Sequence, residues 1–138
     1  MKTALQKLWV TLLAVVSLVA CGSPEPMTDD EATMWVAAYS PERIDMDATI
    51  RIEATDSLMT HLDTTRSLEK VFKFTPSVKG EAHYVDGGRF IDFVPEKGSL
   101  KQGKQYNCRV NMSLLTAIDS LKAFSFDFVV EKRESRLA

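Results

Sequence analysis

The sequence is short of the side chains on which most enzyme chemistry runs. Two histidines, His61 and His83, are the only ordinary bases in 138 residues, and catalysis needs a base placed beside a nucleophile or a metal. The two cysteines, Cys21 and Cys108, stand at no Cys/His spacing that suits zinc, and Asp45-Met46-Asp47 lacks the remaining oxygen ligands of a calcium loop. No metal or cofactor is expected. Basic charge is not in excess either, with 17 Lys and Arg against 19 Asp and Glu, so a nucleic-acid surface, which clusters Lys and Arg, is not expected. No apolar run reaches the roughly 20 residues that span a bilayer.

What is present begins with a short apolar stretch, LWVTLLAVVSLVA at residues 8–20, preceded by Lys2 and Lys7 and closed by Gly22, Pro24, Glu25 and Pro26. This is the build of a helical secretory signal, expected to be removed. Its end, Leu18-Val19-Ala20-Cys21, resembles the lipobox of bacterial lipoproteins. The resemblance implies cleavage between Ala20 and Cys21, a diacylglyceryl group on the Cys21 sulfur, and residence in the cell envelope, anchored to the outer membrane. Such an anchor is sufficient, since each buried methylene contributes about 0.8 kcal/mol and two chains hold stably. An ordinary signal peptide cut at the same bond is the alternative. Loss of residues 1–20 removes two basic residues and no acidic one, leaving 15 against 19, a balance of −4.

With Cys21 lipidated, Cys108 has no partner for an intrachain disulfide. It lies in QYNCRVNM, where Tyr106, Cys108, Val110 and Met112 share one face of a strand, so a buried, unreactive thiol is expected. Residues 21–33, rich in Pro, Asp, Glu and small residues, read as a flexible tether. Asp29, Asp30 and Glu31 read as solvated linker, or as a surface-export address of the kind some outer-membrane bacteria place after the lipidated cysteine. Residues 133–138 form a charged tail.

Residues 34–132 carry the punctuation of an all-β domain. WVAAY, ATIRIEAT, VFKF, EAHYV, RFIDFV, YNCRVNM and AFSFDFVV are short and bounded by turn residues, and ATIRIEAT and AFSFDFVV alternate cleanly, as half-buried antiparallel strands do. Asp86-Gly87-Gly88 supplies the positive-φ tolerance of a tight hairpin and is too short to cradle a phosphate. Residues 56–70 are polar and predict a loop with one or two helical turns. About seven strands in roughly 100 residues indicate an immunoglobulin-like antiparallel β-sandwich. Leu100, Gly103 and Tyr106, spaced L-x-x-G-x-x-Y with the tyrosine two residues before Cys108, resemble the tyrosine corner of that fold, whose hydroxyl bonds to upstream backbone. The expected core is Ile50, Ile52, Phe72, Phe74, Ile91, Phe93, Tyr106, Cys108, Val110, Phe124, Phe126 and Phe128.

F-x-F-x-P at residues 72–76, the hairpin at 86–88, F-x-P at 93–95 and L-x-x-G-x-x-Y at 100–106 resemble bacterial Ig-like domains of surface-layer proteins. Together with the lipobox and residues 34–55, the chain resembles the N-terminal domain of Bacteroides-type alpha-2-macroglobulin lipoproteins. That family implies a large membrane-tethered protease trap, sometimes with a Cys-Gln thioester. Here Cys108 is followed by Arg109, Val110 and Asn111, with no C-x-E-Q motif, so the resemblance implies a first domain of a larger trap. An independent adhesin or scaffold lipoprotein is the alternative.

Either reading implies a protein partner or adjacent domains and no small-molecule substrate. A hydrolase is the remote alternative: His61-Leu62-Asp63 could orient an imidazole, with Ser57, Thr60 or Thr64 as hydroxyls, but no nucleophile elbow frames it. His83, alternating with Glu81 and Val85, is expected on an exposed strand face. A ligand carrier is disfavoured because side chains fill a seven-stranded sandwich.

Overall fold

The computed structural model describes residues 24–132. The signal segment, Ala20, Cys21 and the charged tail lie outside the described residues.

Two four-stranded sheets pack face to face. The first has the order β1 (Val36–Tyr39), β3 (Ile50–Ala54), β6 (Phe90–Pro95), β5 (Gly80–Val85), and the second β2 (Arg43–Ile44), β8 (Phe124–Val130), β7 (Gln105–Val110), β4 (Phe72–Thr75). This is an immunoglobulin-like sandwich, with the first strand divided between the sheets. The division gives eight strands instead of about seven. It also breaks the expected all-antiparallel pairing: after Pro41 the chain crosses to the second sheet, and β2 runs parallel to β8 with Arg43 opposite Val129. Two residues in SPERIDMD carry no period, so the pattern of the chain did not mark them.

The alternating strands face as their spacing predicts. Ile50, Ile52 and Ala54 of β3 are buried, opposite Phe124, Phe126, Phe128 and Val130 of β8 and Tyr106, Cys108 and Val110 of β7. Aromatic rings knit the layers, with Phe74 and Phe93 at 4.6 Å and Tyr106 stacked on Phe128 at 5.5 Å. Of the expected core only Phe72 is half-buried. It sits where the edges of β4 and β5 leave the sandwich open.

Turn chemistry fixes the connections. The β5–β6 hairpin closes through a 3₁₀ turn in which Asp86, Gly87 and Gly88 all have positive φ, a backbone that Asn, Asp and Gly tolerate best. Gly103, at φ 75°, donates to the Val130 carbonyl at 2.7 Å. Three residues on, the Tyr106 hydroxyl accepts from the Lys101 N–H at 2.9 Å, closing the tyrosine corner.

The expected tether is corrected from Pro24 onward. Asp29–Trp35 forms a helix, α1, capped by Thr28, whose side chain accepts from Glu31 while Glu31 reaches back to the Thr28 N–H. This capping box satisfies helix-end donors reciprocally. Glu31 is held below the ordinary carboxyl range, chiefly by that backbone bond. Asp29, Asp30 and Glu31 thus form the first helical turn, where negative charge opposes the helix dipole favourably, and are not linker. Met27 and Ala32 are buried, and Met27 donates to the Ala123 carbonyl at 2.8 Å.

Candidate functional site

Of the residues that could have formed a hydrolytic site, Asp63 and Thr60 are engaged elsewhere. A second helix, α2 (Asp56–His61), forms within residues 56–70, capped by Thr55. The His61 ring is exposed and lies edge-on to Trp35 of α1 at 5.8 Å. Asp63 faces away from it in bonding terms: its carboxylate accepts from the Thr65 hydroxyl, the Thr65 N–H and Arg66. These bonds, the Thr65 hydroxyl first, hold the Asp63 carboxyl below its ordinary range. Thr60 donates its hydroxyl to the Asp56 carbonyl. His83 is exposed on β5, 3.8 Å from Glu81. Cys108 is fully buried, and burial pushes its thiol well above the ordinary value. Asp86-Gly87-Gly88 is occupied as the hairpin turn. Among the described residues no three His, Cys, Asp or Glu converge on a metal position.

The strongest polar arrangement lies on the outer face of the first sheet. The Arg51 guanidinium binds Asp92 bidentately, Nε to Oδ1 at 2.7 Å and Nη2 to Oδ2 at 2.8 Å, and its carbon stands 4.4 Å above the Phe90 ring. Fork-to-fork bonding of this kind is stronger and more directional than neutral hydrogen bonds. The carboxylate bond is the main reason the Arg51 pKa is raised. Asp92 is only 6 % exposed because Arg51 lies across it. The strand registers extend the row: Arg51 is opposite Asp92, and Asp92 is opposite His83. At the other end the Ser40 hydroxyl accepts from the Arg51 N–H at 2.8 Å. Arg51, Asp92 and His83 therefore form a continuous row of polar groups across β3, β6 and β5.

Sequence reasoning passed over this row. Arg51 stood on the wet side of ATIRIEAT, but Asp92 sat inside the apolar run FIDFV, and only the register of β3 with β6 brings them together. A carboxylate inside such a run is the one signal present.

Two of the surface recesses bordering the sandwich adjoin these residues. One of about 240 Å³ lies beside Arg51, between Tyr39, Ser40, Pro41 and Glu53. The other, about 300 Å³, opens between the edges of β4 and β5, floored by Phe72 and Phe93 and walled by Leu68 and residues 80–83. Both are shallow; the second also carries Ser67 and Glu69 across from His83, the Ser67 hydroxyl accepting from the Glu69 N–H at 3.2 Å.

No family model matches the chain, and no curated protein is significantly similar to it. Among the described residues no helix is long and apolar enough to cross a membrane.

Proposed function

We propose that this chain is a non-enzymatic, membrane-anchored lipoprotein whose Ig-like domain binds protein. Its place would be as the first domain of a macroglobulin-like protease trap, lipidated at Cys21 and residing in the cell envelope. The observation that carries the reading is how close to Cys21 the domain already holds the chain. Arg109 of β7 donates to the Pro24 carbonyl at 2.7 Å, and Pro24, the first described residue, stands only three residues after Cys21. An extended chain covers about 3.3–3.6 Å per residue. A lipid on Cys21 would therefore hold the domain within roughly 10 Å of its attachment, with the outer face of β7 nearest the bilayer. The tyrosine corner and the 86–88 hairpin, both formed at the positions on which the macroglobulin resemblance rests, support the family part of the proposal.

The protein-binding role is supported by what the surface offers: a fixed polar row, open sheet edges and the paired helices α1 and α2, with Met34 58 % exposed beside them. The test has two arms. The purified protein should not turn over ester, peptide or glycoside substrates, and photo-cross-linkers placed in residues 56–70 should recover a protein partner or an adjoining domain from intact cells. Turnover that disappears in His61→Ala, or cross-linking that recovers no protein, contradicts the proposal.

A further inference from the structure

We propose that the β5 edge pairs with β5 of a second copy of this chain, in one register, joining two sheets about a two-fold axis through Ala82. The inference does not rest on the lipid anchor or on the macroglobulin resemblance.

The four sheet edges are not equivalent. β1 carries a bulge between Val36 and Ala38, and β2 is two residues long. β4 has four residues, carries Lys73, and is followed by Pro76, which has no N–H to offer. Short strands, bulges, lysine and proline are the usual defences of an edge against pairing. β5 has six residues and none of these. An undefended edge is a template for strand addition.

The hydrogen bonds on its paired side decide which groups are free. Glu96 donates to the Lys79 carbonyl, and Ala54 to the Arg89 carbonyl. In an antiparallel ladder the residues that face a neighbour alternate. Residues 81, 83 and 85 therefore turn their N–H and C=O toward β6, and Gly80, Ala82 and Tyr84 turn theirs outward. Two copies of this edge can bond only with these three positions facing one another. Centring on Ala82 uses all of them, with Gly80 opposite Tyr84 of the second copy and Ala82 opposite Ala82.

Side chains then select that register over its neighbours. Centred on Ala82, Glu81 lies opposite His83 of the second copy as a non-hydrogen-bonded pair, the geometry in which cross-strand side chains come closest. Centring on residue 81 would oppose two glutamates, and centring on residue 83 would oppose two histidines. Like charges directly opposite are unfavourable, and the histidine register leaves Glu81 without its cross-strand hydrogen-bond partner. The chosen register also continues the polar row already present in each subunit: Arg51, Asp92, His83, then Glu81 of the second copy. The contact is isologous, so the same pair forms twice and the assembly closes as a dimer.

Sedimentation equilibrium of the full-length protein in mild detergent should give a concentration-dependent dimer. Ala82→Pro removes the outward N–H at the axis without touching a β5–β6 bond, and should yield a monomer that still unfolds in one cooperative transition. Glu81→Lys, which keeps the backbone intact, should weaken the dimer at least tenfold, and adding His83→Glu to it should restore pairing by exchanging the charges. A wild-type protein that stays monomeric at every concentration overturns the proposal. So does a dimer indifferent to both Ala82→Pro and Glu81→Lys, which would have to form through another surface.

Discussion

The Lys101 N–H donates to the Tyr106 hydroxyl at 2.9 Å across the loop that leads into β7. Tyr106 is 2 % exposed and its ring stacks on Phe128, so the hydroxyl brings a hydrogen-bond acceptor to the half-buried backbone donor of Lys101. Tyr106→Phe keeps the ring and strands the donor. An unsatisfied buried group costs about 1–3 kcal/mol, and chemical denaturation of the variant should show a loss in that range with an unchanged slope. Equal stability would mean the corner is held by packing alone.

The Cys108 thiol is predicted to be silent in the native protein. Its burial disfavours the thiolate, and the thiolate is the reacting form. With an excess of a thiol-reactive disulfide, modification of Cys108 should proceed at the rate of global unfolding and accelerate with denaturant. Rapid labelling in native buffer would show that the β7 face opens locally.

Acid should weaken residues 62–66 before it unfolds the sandwich. The folded pKa of Asp63 is lowered by its bonds to Thr65 and Arg66. Its contribution to stability is therefore complete above the ordinary aspartate value of about 3.9 and is lost as the pH falls through the lower folded value. Glu31 acts in the same sense at α1. The unfolding midpoint of the wild type should drop more between pH 5 and pH 3 than that of Asp63→Asn. Parallel acid limbs in the two proteins would contradict this.

The helix cap at Thr28 gives a local test of the ordered segment after Pro24. Thr28→Ala removes the oxygen that accepts from Glu31 and should cost about 1 kcal/mol, with amide exchange accelerated over residues 29–35. Unchanged exchange there would return the segment to the status of a tether.

The fold was legible where period and burial coincide. ATIRIEAT and AFSFDFVV expose one face and bury the other because each borders a single core, so alternation located them and their inward residues. The 86–88 turn and the tyrosine corner were legible because few residue types serve those backbones. β2 was not, because a two-residue strand is defined by its partner β8 and has no pattern of its own. Nor was α1 recognised, although Thr28-x-x-Glu31 is a capping box in plain sequence; the acidic, proline-rich composition around it suggested a linker, and burial of Met27 against Ala123 outweighed composition. The Arg51–Asp92–His83 row was illegible for a different reason. It exists only once β3, β6 and β5 are in register, and register is a property of pairs of strands.

The most direct test of the central claim is the mass of the amino-terminal peptide of the protein extracted from the membranes of its native host. A lipoprotein beginning at Cys21 predicts an amino-terminal peptide that starts at Cys21 and carries a diacylglyceryl group or a fully acylated amino terminus, and loss of both lipid and membrane retention in Cys21→Ser. An unmodified Cys21, or a mature chain starting at any other residue, would contradict the account.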